Sequence, residues 1–358
     1  MAKGIAKEIT GTVWRSILPV VIGLGVCAWL FHDDFNASTW NGLHFSWRTA
    51  LGIILAMFFV AGRDFGLTWR FHTIAGNDLP WHRALKVDIM CAFTSAITPS
   101  VVGGSALAIF YLNREGIKLG RATTLTLTTL FLDEMFFVVF CPVIVLTLPS
   151  SALFGSTSAD SLFMDSIEIV FWLVYTGIVI WTSILYLAII ARPKAMQRLL
   201  HRIASTRLLR RWSGAINSTA DNMVSTSEWV RGRSARWWLN VFGATTVSWF
   251  SRYLIVNALF WGFVPDASGF LVFGRQFVVW VVLMISPTPG GSGISEWLFT
   301  GYYGDLIGSV GIALVLAMIW RILSYYLYLV LGFILLPGYF RSTRSNASRQ
   351  QIQNSETN

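Results

Sequence analysis

Charge is the scarcest commodity in this 358-residue chain: Asp, Glu, Lys and Arg together make up 13% of it, where soluble domains carry about a quarter. With 54% apolar residues and a mean hydropathy of +0.60, a water-soluble enzyme is excluded as the first reading. Cysteine is nearly absent. Cys27, Cys91 and Cys141 all fall in apolar runs, with neither the number nor the spacing of a disulfide framework or zinc site, so they read as core filling. The five histidines, His32, His44, His72, His82 and His201, lie in or near loops without metal-ligand spacing, and no metal or other cofactor is expected. Neither GGS is followed by the Lys-Ser or Lys-Thr of a phosphate-binding loop, neither serine sits in G-x-S-x-G, and there is no H-E-x-x-H.

What is present is a series of long apolar runs, several of them near the ~20 residues a helix needs to cross ~30 Å of hydrocarbon. They cover residues 17–31, 49–62, 85–98, 122–148, 167–190, 237–263, 270–286 and 306–336. The first follows Lys3, Lys7 and Arg15 like a signal peptide, but Leu24-Gly25-Val26-Cys27 has Val where cleavage wants a small residue, so it is read as a first span. Two runs break. The run 85–98 is followed by Pro99 and then by Gly103 and Gly104; the run 270–286 by Pro287, Thr288, Pro289, Gly290, Gly291, Ser292 and Gly293. Proline removes a donor and glycine costs about 1 kcal/mol in a helix. The two GGS elements stand 187 residues apart, and each pair of arms reads as a re-entrant hairpin with its tip at membrane depth.

Lys and Arg collect in cytoplasmic segments. With the N-terminus inside, such segments hold 23 of the 27 basic residues, Arg63 and Arg70 among them. The outer loops (32–47, 149–166, 264–269 and 302–305) contain none. The net charge of +9 is thereby assigned to orientation, and no basic domain remains for nucleic acid. Both termini are expected in the cytoplasm, with the chain in the cell (inner or cytoplasmic) membrane.

The predicted fold class is an all-α polytopic membrane protein: about six full spans plus two re-entrant helical hairpins, arranged as inverted-topology repeats. A plain eight-helix bundle with two kinked helices is the other arrangement. Residues 1–148 form the first repeat, with its hairpin on the cytoplasmic side. Residues 149–236 supply an outer loop, a span and a basic cytoplasmic connector; residues 237–340 complete the second repeat with an outer-side hairpin, and 341–358 form a disordered tail. In the connector, Met196, Leu199, Leu200 and Ile203 recur at helical spacing among Arg192, Lys194, Arg198 and Arg202. This suits an amphipathic helix bound to anionic lipid, or a solvated connector.

Ionisable groups at membrane depth are expensive and mark candidate sites. Asp133 and Glu134 lie mid-run, Arg252 in the run 237–263, Arg275 and Glu296 in the second hairpin, and Arg321 midway along the last span. They read as an arginine-lined cavity for an anionic head group, or as mutually neutralising pairs. The arms after Gly104 and Gly293 begin as helix N-termini, which favour phosphate or carboxylate, with hydroxyls from Ser105, Thr288 and Ser292 nearby.

Pro99, Gly103 and Gly104 with Arg114-Glu115-Gly116, then the P-x-P-G-G-x-G-x-x-E element from Pro287 to Glu296, then Trp320-Arg321, Tyr325-Tyr326 and Gly332, resemble the flippase-like membrane family that includes the transmembrane region of lysylphosphatidylglycerol synthase. The likeness covers roughly residues 10 to 340. Family members often carry Arg three residues before the acid of the fourth span; Leu130 stands there, which points to Arg321 as the partner of Asp133. The resemblance implies movement of a phospholipid or isoprenoid-phosphate lipid between leaflets. No aminoacyl-transfer domain is expected to follow, hence no lipid lysinylation. A membrane enzyme of lipid or glycolipid metabolism, using Asp133, Glu134 or Glu296 as acid or base, and a scaffold for a cytoplasmic synthase are the alternatives. A homo-oligomer is compatible with all three.

Overall fold

The computed structural model describes residues 46–98, 102–155, 161–206 and 213–336, all helical or in turns with no strand among them. Helix α1 (Trp47–Ala75) starts where Ser46 caps it, the serine hydroxyl accepting from the Thr49 N–H. It is followed by α2 (Trp81–Ile97), α3 (Val102–Arg114), α4 (Leu119–Thr147) and a short α5 (Ser150–Phe154). Helix α6 (Ser161–Tyr186) ends in a π-helical turn, Leu187–Ala191, and leads to α7 (Pro193–Ala204) and α8 (Ser213–Arg231). Helices α9 (Ala235–Phe263), α10 (Gly269–Leu283), α11 (Ile294–Ile307) and α12 (Val310–Arg321) complete the bundle; α12 passes through a π-helical turn, Ile322–Tyr326, and resumes to Leu336.

Among the described residues, four helical stretches are long and apolar enough to cross a membrane: Trp47–Asp78, Leu119–Thr147, Asp165–Ala191 and Val310–Leu336. Helix α9 has the length, at 29 residues, but not the hydropathy of those four. The expected first span, 17–31, and the tail, 341–358, lie outside the described residues.

The central contact is between α1 and α9, which run antiparallel: Gly52 sits against Ala258 and Gly262, Gly62 against Ser251, and Gly66 against Ala244 and Ser248. A side chain on Gly66 would meet the backbone of Ser248 at 2.7 Å. This closeness explains the glycines, because without a water-exclusion force between helices in lipid, association rests on van der Waals contact at short range. Around the pair, Phe136 of α4 stacks between Trp249 of α9 and Phe277 of α10, with ring centroids 5.5 and 5.7 Å away.

Several boundaries differ from the sequence reading. The run expected to stop at Gly62 continues helical to Ala75, so Arg63 and Arg70, expected in a cytoplasmic segment, are buried inside the bundle. Their partners explain it: a charge ends an apolar run only if nothing within the protein receives it. Residues 302–305, expected as an outer loop, are the last turns of α11; the turn falls instead at Gly308, whose φ of 68° ends the helix in the left-handed region. The second arms of the two expected hairpins, after Gly104 and Gly293 in the sequence reading, are helices of 13 and 14 residues. Gly103 and Gly104 do not break a helix, since α3 begins at Val102. The chain leaves helix at Thr98, extended with ψ 143°, as a residue before proline prefers; Pro99 itself lies outside the described residues. In the connector, α7 turns Met196 and Leu200 inward against the core while Leu199 and Ile203 are exposed.

Candidate functional site

The second helix break is built by glycine. Gly290, Gly291 and Gly293 have φ of 56°, 72° and 84°, a region closed to most side chains. At Gly290 a side chain would collide with the Tyr325 ring and press on the Ala96 carbonyl. The Tyr325 hydroxyl donates to that same carbonyl at 3.3 Å. The end of α2 and the glycine loop thus meet at Tyr325.

Glu296, at the start of α11, is held on all sides. Its Oε2 accepts from the Gly293 N–H and the Ser295 hydroxyl, both at 2.8 Å, and its Oε1 from Arg321 Nε at 2.8 Å. The pair is buried on both members, and the Arg321 guanidinium also donates to the Ser292 hydroxyl at 3.3 Å and lies 4.0 Å from the Tyr325 ring centroid. A charge pair so enclosed is tolerable because nearly every lone pair is engaged.

Arg321 lines a cavity of about 130 Å³, and two other arginines line it with Arg321: Arg63 from α1 and Arg252 from α9. Trp280, Trp320, Tyr325 and Tyr328 form aromatic walls, Ser95 and Ser324 contribute hydroxyls, and Gly290 and Gly291 close one side. Arg63 lies 4.1 Å from the Tyr328 ring and 3.5 Å from the Asp64 carboxylate, while the Tyr328 hydroxyl donates to Asp64 at 2.7 Å. Arg252 rests between the faces of Trp249 and Trp280, 4.5 and 4.7 Å from their centroids. No carboxylate among the described residues lies within ion-pair distance of it, and the Nε atoms of Arg252 and Arg63 are buried without a hydrogen-bond partner. The ring faces supply part of the missing stabilisation. Both side chains thus line the cavity while their Nε donors stay buried and unbonded.

The other expected site residues fall elsewhere. Asp133 does not pair with Arg321; Arg70 binds it with two donors at 2.5 and 3.1 Å, and Trp249 Nε1 donates to it at 2.8 Å. The physical reason is that α1 stays helical as far as Arg70, supplying a nearer cation, while Glu296 takes Arg321. Glu134 is off the cavity, its buried Oε2 without a partner. Arg275 is also off the cavity: it joins Asp305 at 2.5 and 2.6 Å and donates to the carbonyls of Ala152 and Tyr302, tying α10, α5 and α11 together. Thr288 bonds to Ser286 at 3.1 Å, and Pro287 and Pro289 shape the loop, the Pro289 carbonyl accepting from the Ser292 hydroxyl. Ser105, with Gly103 and Gly104, falls in the first turn of α3, whose side chains are outside the described set.

Sequence reasoning missed Arg63, Asp64, Arg70 and Asp88. Asp88 had a legible signal: it lies inside the apolar run 85–98, the same criterion that selected Asp133. Arg70 stood seven residues beyond Arg63, two helical turns, on a run whose helical continuation was the clue.

Residues 16–332 match the family described as the lysylphosphatidylglycerol synthase TM region. The chain belongs to this family. It is 23% identical over 331 residues to a UPF0104 membrane protein of Archaeoglobus fulgidus, an alignment covering 89% of this chain and 95% of that protein. No solved structure matches it. Family and helices together make this an integral membrane protein.

Proposed function

We propose that this chain is a lipid translocase that passes the head group of a phospholipid or isoprenoid-phosphate lipid between leaflets through the Arg63–Arg252–Arg321 cavity. The observation that carries the reading is Arg252, a half-buried cation that lines a cavity shared with two further arginines, with no carboxylate partner among the described residues and its Nε buried and unpartnered. A phosphate, with several acceptor oxygens, matches converging planar guanidinium donors better than any point charge. The aromatic walls suit the glycerol or isoprenoid stem below it.

The architecture behind this reading is an inverted repeat. Helices α1 and α9 have equal length, 29 residues, begin at serine caps and pack antiparallel; each is followed by a pair of shorter helices, α2 with α3 and α10 with α11, and then by a long apolar helix. The two short pairs act as re-entrant hairpins whose tips meet at Tyr325, Gly290 and Ala96, the arrangement that puts a substrate site at the midplane. The membrane is the cell membrane, with both termini in the cytoplasm. An enzyme reading finds less support, since both oxygens of Asp133 and both of Glu296 are already engaged as acceptors and Glu134 lies off the cavity.

The test is leaflet exchange of a fluorescent phosphatidylglycerol in liposomes. Because Arg252 has no hydrogen-bonded partner to orphan among the described residues, Arg252→Gln leaves the protein monodisperse in detergent and slows exchange by at least about tenfold, the equivalent of one lost charge-assisted contact. Exchange at the full rate by the folded variant overturns this assignment.

A further inference from the structure

Asp88 is the one buried carboxylate beside the site that the account above leaves without a task. It sits on α2, 2% exposed, and its Oδ2 is buried with no hydrogen-bond partner. No cation lies within ion-pair distance of it among the described residues. Asp88 shares a helix face with Ala92 and Ser95, four and seven residues on, and both of these line the arginine cavity. It therefore lies about one turn below the cavity on the same face.

The charged or titratable groups whose fields reach it are Arg63, Asp64 and Arg70 of α1, Arg252 of α9, Tyr328 of α12 and Cys91 on its own helix. Two of these, Arg63 and Arg252, line the cavity. An ionised carboxylate buried without a hydrogen bond is costly, and an added proton removes that cost. The same proton removes a negative charge that competes with an incoming anion for Arg63 and Arg252. Proton binding at Asp88 and anion binding in the cavity therefore favour one another, and the coupling is reciprocal.

We propose that Asp88 is a proton-binding site and that the translocase moves a proton together with its anionic head group, the proton on Asp88 and the phosphate on the arginines. This rests on the translocase reading for its transport half, whereas the proton site stands by itself. In the balance of the step, one proton taken from the side where the head group enters neutralises Asp88, and the same proton leaves on the side where the head group is released; no bond of the lipid breaks. Glu296 is not the carrier, because its oxygens are taken by Arg321, Ser295 and the Gly293 N–H.

Two measurements on the full chain test it. Infrared difference spectra of the purified protein between about pH 6 and about pH 8 are expected to show protonated-carboxyl absorption of which Asp88→Asn removes a distinct component, Glu134→Gln serving as the control for the other carboxyl with a buried, unpartnered oxygen; a wild-type spectrum without such absorption, or one unchanged in Asp88→Asn, overturns the site. In liposomes carrying fluorescent phosphatidylglycerol, wild-type exchange is expected to be at least about threefold faster at the lower pH, and the ratio to fall to about one in Asp88→Asn whatever its absolute rate. Should the amide lower the yield, Asp88→Ser serves the same comparison. PH-independent exchange by the wild type overturns the coupling and leaves the translocase standing. A carboxyl band assigned to Asp88 without any lipid exchange overturns the translocase and keeps the proton site.

Discussion

At the scale of single residues, the bundle distinguishes cations that are closed off from those left open. Arg70 is paired with Asp133 through both terminal nitrogens although its Nε is unbonded, Arg275 with Asp305 and two carbonyls, and Arg321 with Glu296 and Ser292. Arg321 differs from the first two in lining the cavity as well, so it can exchange part of its protein partnership for a ligand. Removing one member of a buried pair leaves an uncompensated charge at about 3 to 5 kcal/mol. Arg321→Met is therefore expected to lower the folded yield, and adding Glu296→Gln to restore it. The double variant should still fail to exchange lipid, because the head group has lost a donor. Arg321→Lys keeps the charge without the planar fork and should retain reduced but measurable exchange. Full exchange by the folded double variant would show that Arg321 only holds the loop. Size-exclusion profiles alongside the liposome assay separate the two outcomes.

At the scale of elements, the α1–α9 contact places Arg63 and Arg252 on one cavity. Its spacing depends on Gly52, Gly66 and Gly262, where the two backbones come within side-chain distance of each other, and on Gly62, which receives the Ser251 side chain. At Gly66 the nearest obstacles are backbone atoms of Ser248 and Ala244, at 2.7 and 2.8 Å, which cannot rotate aside as a side-chain tip can. Gly66→Leu is thus an overpacking change whose cost should reach or exceed the top of the usual range of about 1 to 3 kcal/mol. Thermal unfolding in detergent, followed by fluorescence-detected size exclusion, should show a lowered midpoint, whereas Gly177→Leu, on a glycine with open space around it, should leave it unchanged. Equal midpoints for the two would mean that the helices do not approach as described.

At the scale of the whole molecule, the inverted repeat proposed above requires the α6 start and the α7–α8 connector to lie on opposite faces of the membrane. Single cysteines introduced in a background lacking Cys27, Cys91 and Cys141 test this with a membrane-impermeant thiol reagent. A cysteine at Asp165 is expected to label from outside and one at Arg210 from inside only, and one at Gly308, in the turn between α11 and α12, from outside. Labelling of Gly308 from the inside alone would remove the inverted arrangement. Moving Arg63 and Arg70 from a loop into the bundle reduces the basic residues counted toward orientation to 21. The outer loops remain free of Lys and Arg at 149–166 and 264–269, so the bias that sets the expectation persists.

Apolar content, span length and scarcity of charge were readable along the chain because they depend on composition within a window, and they led correctly to a helical membrane protein, whereas the family was read from the resemblance of its motifs. The glycine-rich break before Glu296 and the candidacy of Arg252 and Arg321 were readable for a related reason: backbone chemistry and the cost of charge in lipid are local properties. Which charges meet was not local. Asp133 received Arg70 rather than Arg321, because that choice depends on how far α1 stays helical and on the approach of α9, set by contacts between residues more than a hundred positions apart. Hydropathy ended α1 at Gly62 because a window registers a charged residue but not its distant partner. Only the packed bundle brings Arg63, Arg252 and Arg321 around one space with Asp88 beneath it, since a cavity exists where helices fail to fill the volume between them, and that volume is a property of three-dimensional packing rather than of any segment.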